Sequence, residues 1–192
     1  PGYDFHQETS PNGGRINIGR YGNTPEASRV DFGRVFVGGL QQGGWVSGTS
    51  TFHWIAAGLN TSVMVNVELS PDGGNSWFSI GTGITASAES ILWNSLGTNQ
   101  FVAGLWRVSV LGTPSMTSQT TNFFTLRNGP VAFYLNDTSV VQDKFSLAAG
   151  SPTNWGATAG RPLSNLGIVF DRYDVEPGDT IYVDSGDYQV GS

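Results

Sequence analysis

Val63-Met64-Val65-Asn66-Val67-Glu68-Leu69-Ser70-Pro71-Asp72-Gly73-Gly74-Asn75-Ser76-Trp77 is the stretch that decides the fold. Val63, Val65, Val67 and Leu69 alternate with Met64, Asn66 and Glu68, the period-2 pattern of a strand with one face in a core. Residues 70–76 then supply turn chemistry, and Trp77-Phe78 opens a second strand. Asp-Gly-Gly between apolar runs signals a hairpin, because glycine tolerates the positive φ of tight turns. The centre of the chain is therefore read as a β-hairpin.

Composition extends that reading to the whole chain. Among 192 residues there are 27 Gly, while charged residues make up only 12%. Helical surfaces usually carry many Lys and Glu, so this balance points to an all-β chain rich in turns. The net charge of -6 argues against a nucleic-acid partner, which needs clustered Lys and Arg. No apolar run approaches a transmembrane length, and no basic amphipathic stretch suits a membrane surface. Cysteine is absent, which excludes disulfides and thiolate chemistry. Large bacterial secreted and surface proteins also do without cysteine, so its absence is compatible with an extracellular place. The chain opens on Pro1, which we read as a fragment or processed product.

Outward from the hairpin, short apolar segments recur at 34–37, 45–46, 51–56, 63–69, 77–80, 91–93, 105–111 and 123–126. Gly-rich turns separate them, one of them Gly112-Thr113-Pro114-Ser115. This spacing suggests an antiparallel sandwich over 31–128, with Trp54 and Trp106 as core anchors. The segment resembles immunoglobulin- or fibronectin-like modules of large bacterial secreted and surface proteins. After Asn128 the pattern changes. Residues 131–136 read as a strand, 137–160 as a long polar loop, 163–173 as one short helix, and 180–183 as a final strand.

Both ends carry a second resemblance. Asn12-Gly13-Gly14-Arg15-Ile16-Asn17-Ile18-Gly19 and Tyr21-Gly22-Asn23-Thr24-Pro25-Glu26-Ala27-Ser28 resemble the closing phrase of right-handed parallel β-helix (pectate-lyase-like) proteins. Arg161-Pro162-Leu163, Pro177-Gly178-Asp179-Thr180-Ile181-Tyr182-Val183 and Gly186-Asp187-Tyr188 resemble the opening of such domains. Thr153-Asn154-Trp155-Gly156 stands where that family has an Asn-Asp-Gly loop. The resemblance implies three units: a β-helix end at 1–30, the sandwich at 31–128, and a β-helix-start or cap-like unit at 129–192. A cap of that kind exposes an unpaired strand edge, which invites strand addition between copies. Such a head-to-tail interface is heterologous and yields rings or fibres. The strand-exchanging residues expected are Arg15, Ile16, Asn17 and Ile18 at one end and Thr180, Ile181, Tyr182 and Val183 at the other.

Few residues suggest chemistry. Ser70, Asp72, Gly74 and Trp77 fit the Asp-box pattern of sialidase-type propellers, where it serves as a structural turn. His6 and His53 are the only histidines, and nothing in their spacing supports a triad or a zinc site. Asp171, Asp174, Glu176, Asp179, Asp184 and Asp187 form an acidic run with no EF-hand or RTX motif. We expect no cofactor and no metal, with calcium at this run the one alternative. Trp45 and Trp155 are the tryptophans least explained by a core, hence the candidates for stacking on a sugar ring. The expected function is a non-catalytic extracellular or cell-surface module, structural or adhesive, that links or polymerises through strand-mediated head-to-tail contacts. Its partners would be other copies or neighbouring modules. The alternative is a carbohydrate-binding module of a polysaccharide-degrading enzyme, with polysaccharide as partner. An enzyme in its own right is disfavoured, because parallel β-helix lyases draw catalytic groups from central coils missing here.

Overall fold

A computed structural model describes residues 33–38, 40 and 44–188. The expected N-terminal unit 1–30, with Arg15, Ile16, Asn17 and Ile18, lies outside them. The described chain is mostly β, with several sheets and one short α-helix.

The first ten strands are β1 (Arg34–Val37), β2 (Trp45–Val46), β3 (Thr49–Ala57), β4 (Met64–Ser70), β5 (Phe78–Thr85), β6 (Ser90–Asn94), β7 (Phe101–Val110), β8 (Thr113–Gln119), β9 (Phe124–Leu126) and β10 (Ala132–Leu135). They are followed by α1 (Leu166–Arg172) and β11 (Thr180–Val183). The hairpin read from the sequence is the antiparallel pair β4–β5, which carries register shifts around Val67. On its other side β4 pairs with β7, and β7 continues to β9 and β2. β1, β3 and β6 form a separate three-stranded sheet.

The two sheets share one apolar core. Phe52 and Trp54 of β3 meet Val65, Val67 and Leu69 of β4, Trp106 and Val108 of β7, and Phe124 of β9. The Phe52 ring stands edge-on to Trp106 at 5.2 Å and to Phe124 at 6.1 Å, geometries the aromatic quadrupole favours. Trp54 satisfies its buried indole N–H by donating to the Ala86 carbonyl at 2.8 Å.

Three elements differ from the sequence reading. β2 pairs with β9 in parallel, Trp45 opposite Thr125 and Val46 opposite Leu126, where the spacing suggests a wholly antiparallel sandwich. Gly112-Thr113-Pro114-Ser115 reads as a turn, yet β8 begins at Thr113. β8 pairs with β7 alone within its sheet, an edge position that tolerates Pro114 because no second ladder needs its missing N–H. The helix expected over 163–173 spans only Leu166–Arg172. Leu163 is committed elsewhere: its N–H donates to Tyr134 O and its carbonyl accepts from Asn136 N–H. The helix starts only after Asn165, whose side chain caps the Gly167 N–H at 2.6 Å.

Beyond β9 the chain builds a small parallel ladder. β10 and β11 run parallel, with Phe133 opposite Ile181, Tyr134 opposite Tyr182 and Leu135 opposite Val183. A single parallel bridge from Leu135 to Leu163 extends the ladder on the far side of β10. Phe133, Leu135, Leu163, Val169 and Tyr173 form its core, and Val102 of β7 belongs to the same cluster. Val102, with Phe123 just before β9 packed against the same cluster, is thus where the sandwich and the ladder share apolar contact.

Candidate functional site

The Asp-box turn organises the junction between the two parts. Ser70, fully buried, donates its hydroxyl to Asp72 Oδ1 at 2.9 Å and accepts the Gly74 N–H at 2.7 Å. The same Asp72 oxygen accepts the Ser76 N–H at 2.8 Å, and Oδ2 accepts the Ser76 hydroxyl at 2.7 Å. Burial opposes the charge on Asp72, but the Ser76 and Ser70 bonds outweigh it and hold the carboxyl below its ordinary range. Trp77 closes the turn by donating to Gly74 O at 3.1 Å. The Arg107 guanidinium lies 4.1 Å from the Trp77 ring centroid and binds Glu68 at 2.8 Å.

Gly73 sits at the outer tip of this turn with φ +69, and its N–H donates to Ala103 O. A Cβ there would fall 2.8 Å from the Trp155 ring. Trp155 therefore packs directly on the turn. Its ring also meets Phe123 edge-on at 6.3 Å, and the Arg161 guanidinium lies 4.6 Å from its centroid. Of the two candidate sugar-stacking tryptophans, Trp155 is half-buried at this junction, while Trp45 is 46% exposed at the start of β2.

An ion pair clasps the junction from the other side. Arg127, immediately after β9, donates to both oxygens of Asp179 at 2.7 and 2.6 Å and to Asp174 O at 2.8 Å. Asp179 also accepts the Val131 and Glu176 N–H groups, each at 2.9 Å. Burial disfavours the Asp179 charge, yet these bonds and the guanidinium hold its carboxyl down at about 2. Nothing in the residue spacing pointed to this pair, which is 52 positions apart in the chain.

Asp184, another member of the acidic run, is spent on backbone. It accepts N–H groups from Lys144, Phe145 and Ser146 at 2.6, 2.9 and 2.5 Å, pinning the long loop against β11. Among the described residues no group of three or more His, Cys, Asp or Glu is placed to hold a metal ion. His53 is exposed on β3, opposite Ser90. No described helix is long and apolar enough to cross a membrane.

The four C-terminal candidates form β11 itself. Thr180 and Asp184 donate backwards to Val131 and Leu135 carbonyls, so by strand alternation Ile181 and Val183 turn their N–H groups to the other edge. Among the described residues nothing pairs with that edge. Ile181 and Val183 share the inward face with Phe133 and Leu135, which are fully buried, but Val183 remains 45% exposed. Tyr182 stacks on Tyr134 at 5.2 Å and contacts Phe145 at 5.0 Å on the opposite face of the ladder.

No protein-family model, no curated protein and no solved structure matches the chain.

Proposed function

We propose that this chain is a structural module of the extracellular space or cell surface, without catalysis of its own, that joins to other copies or neighbouring modules by strand pairing. In this reading the two-sheet unit is an immunoglobulin-like spacer, and the parallel ladder is the start of a β-helix-like stack. The open edge of β11 carries the proposal. Its outward N–H and C=O groups are a template for a further strand, and the half-covered Val183 is apolar surface that such a strand would bury. Arg15-Ile16-Asn17-Ile18 has the matching alternation, with two isoleucines to lie over Ile181 and Val183. Head-to-tail pairing of this kind closes into rings or extends into fibres.

Light scattering across a range of protein concentrations tests it. The expected mass lies well above 20.4 kDa and rises with concentration. Val183→Lys, which places a charge at the exposed edge, should return the chain to monomer with its circular dichroism unchanged. A mass that stays at 20.4 kDa at every concentration overturns the proposal.

A further inference from the structure

Tyr182, between Ile181 and Val183 in β11, turns to the outer face of the ladder and is held between two rings. Tyr134 of β10 stacks on it at 5.2 Å with the planes 27° apart. That spacing is close to the distance between neighbouring strands, about 4.7–4.9 Å. The Phe145 ring lies 5.0 Å from Tyr182, its plane tilted by 36°. Two rings this near to parallel with Tyr182 cannot share one of its faces, so Phe145 takes the face turned away from β10. That side is the open edge of β11, and Phe145 stands there one rung beyond Tyr182.

Phe145 does not reach that rung as part of a strand. It belongs to the 137–160 loop, and the backbone around it ties the loop to the end of β11. The Lys144, Phe145 and Ser146 N–H groups all donate to the carboxylate of Asp184, the residue directly after β11. Bonds to an ionised acceptor are about twice as strong as neutral ones. The Ser146 hydroxyl adds a bond to Leu135 O at the end of β10, 3.4 Å away, and the Lys144 ammonium lies 5.5 Å from the Phe145 ring centroid. The ring is therefore anchored from its own backbone.

The consequence falls on a strand that pairs with β11. With Ile16 over Ile181 and Ile18 over Val183, Asn17 lies at the level of Tyr182 on the outer face. Strand alternation puts a side chain at that rung for any strand in this register, and Phe145 already fills it. A loop laid over a sheet edge is one of the ways proteins keep such an edge from pairing freely.

We infer that residues 144–146 form an intramolecular strap whose Phe145 ring competes with an incoming strand for the outer side of the β11 edge. The inference rests on the strand-pairing reading above and adds its regulation. Rotation of Phe145 about its own side-chain bonds clears the rung and leaves the Asp184 bonds in place, so the strap can open while the loop stays tied. The inward side of the edge, at Ile181 and Val183, is not covered by the ring. The strap thus sets how readily a strand is taken up.

Light scattering over a range of concentrations tests it on the whole chain, on Phe145→Ala, on Phe145→Tyr and on Phe145→Ala combined with Val183→Lys. Phe145 lies outside both cores, so the circular dichroism of the variants should match the parent. Phe145→Ala should reach a given mass at about tenfold lower concentration, the effect of losing one aromatic contact with its buried area. Phe145→Tyr keeps the ring and should track the parent. Adding Val183→Lys to Phe145→Ala should abolish the gain, which locates it at β11. A parent mass that rises with concentration but is not shifted by Phe145→Ala overturns the strap and leaves strand pairing standing. A gain that survives Val183→Lys, or that Phe145→Tyr shares, also overturns the strap. Masses of 20.4 kDa for both parent and Phe145→Ala at every concentration overturn strap and strand pairing together.

Discussion

Replacing Asp179 by asparagine tests how strongly the sandwich and the ladder are coupled. The Asp179 side chain is fully covered, and the Arg127 side chain is only 10% exposed. The carboxyl is held at about 2 against an ordinary 3.8. A depressed carboxylate contributes stability that is present above its unfolded value and is lost as pH falls towards its folded value. Here the difference is worth about 2 kcal/mol at 1.36 kcal/mol per pH unit. The Asp179→Asn change would also leave Arg127 covered with no counter-charge, and breaking a buried pair from one side costs about 3–5 kcal/mol. Because the amide keeps one acceptor oxygen, we expect a loss of about 3 kcal/mol at pH 7, near the lower end of that range.

Urea unfolding followed by tryptophan fluorescence, repeated in steps from neutral to acid pH, reads both quantities. The gap between wild type and Asp179→Asn should narrow by about 2 kcal/mol as pH falls from about 5 to about 2. Other carboxylates titrate in that window too, but they cancel in the difference. Replacing both partners, Arg127→Met with Asp179→Leu, should recover much of the loss, since an apolar pair leaves no unpaired charge. A gap below about 1 kcal/mol at pH 7, where exposed pairs fall, or one that does not change with pH, would refute the reasoning.

Three further substitutions probe the tight turns. Gly73→Ala forces a side chain into φ +69 and to 2.8 Å from the Trp155 ring, so it should destabilise by about 2–3 kcal/mol. Gly112→Ala, at φ +83 with nothing within 4 Å, should cost only about 1 kcal/mol, and equal urea midpoints for the two would remove Trp155 from the account. Ser70→Ala deletes a buried hydroxyl that bonds Asp72 and Gly74, and should cost about 1–3 kcal/mol in the same measurement; a neutral result would mean the turn is held by Asp72 and Trp77 alone.

What could be read in the chain beforehand follows from the range of the interactions. The β4–β5 hairpin was legible because alternation and Asp-Gly-Gly are local signals, each settled within a few residues. So was the strand at β11, flagged by Pro177-Gly178 before an apolar tetrapeptide. β8 was not, because Thr113-Pro114-Ser115-Met116-Thr117-Ser118-Gln119 has no apolar alternation, and its strand form comes from pairing with β7. The helix start was misplaced for a similar reason: Leu163 is drawn into a ladder with Tyr134 and Asn136, far back in the chain, which no local propensity reports. Arg127–Asp179 and Gly73–Trp155 were also hidden, since neither pair is spaced within one element. Arg161 was read only as part of a Pro-Leu phrase, and its contact with the Trp155 ring depends on where Trp155 packs.

Under the proposed strand pairing, position along the chain would give the Arg127–Asp179 pair a mechanical role. Arg127 follows directly after β9, and Asp179 directly precedes β11. β9 is hydrogen-bonded to β7 within the large sheet, whereas β11 lies at an edge of the ladder that no described residue pairs with. A load applied to a strand added on β11 would reach Asp179 within one residue. From there it passes to the sandwich through two short charge-assisted bonds, without travelling through the 137–160 loop. The Val102 and Trp155 contacts resist shear across the same junction by packing, which yields gradually as surfaces slide. The ion pair instead fails abruptly once its two bonds part, because its desolvated charges have no water to accept them. In the strand-paired assembly proposed above, tension arriving through β11 would meet this contact first, the more buried of the two ion pairs Arg127–Asp179 and Arg107–Glu68.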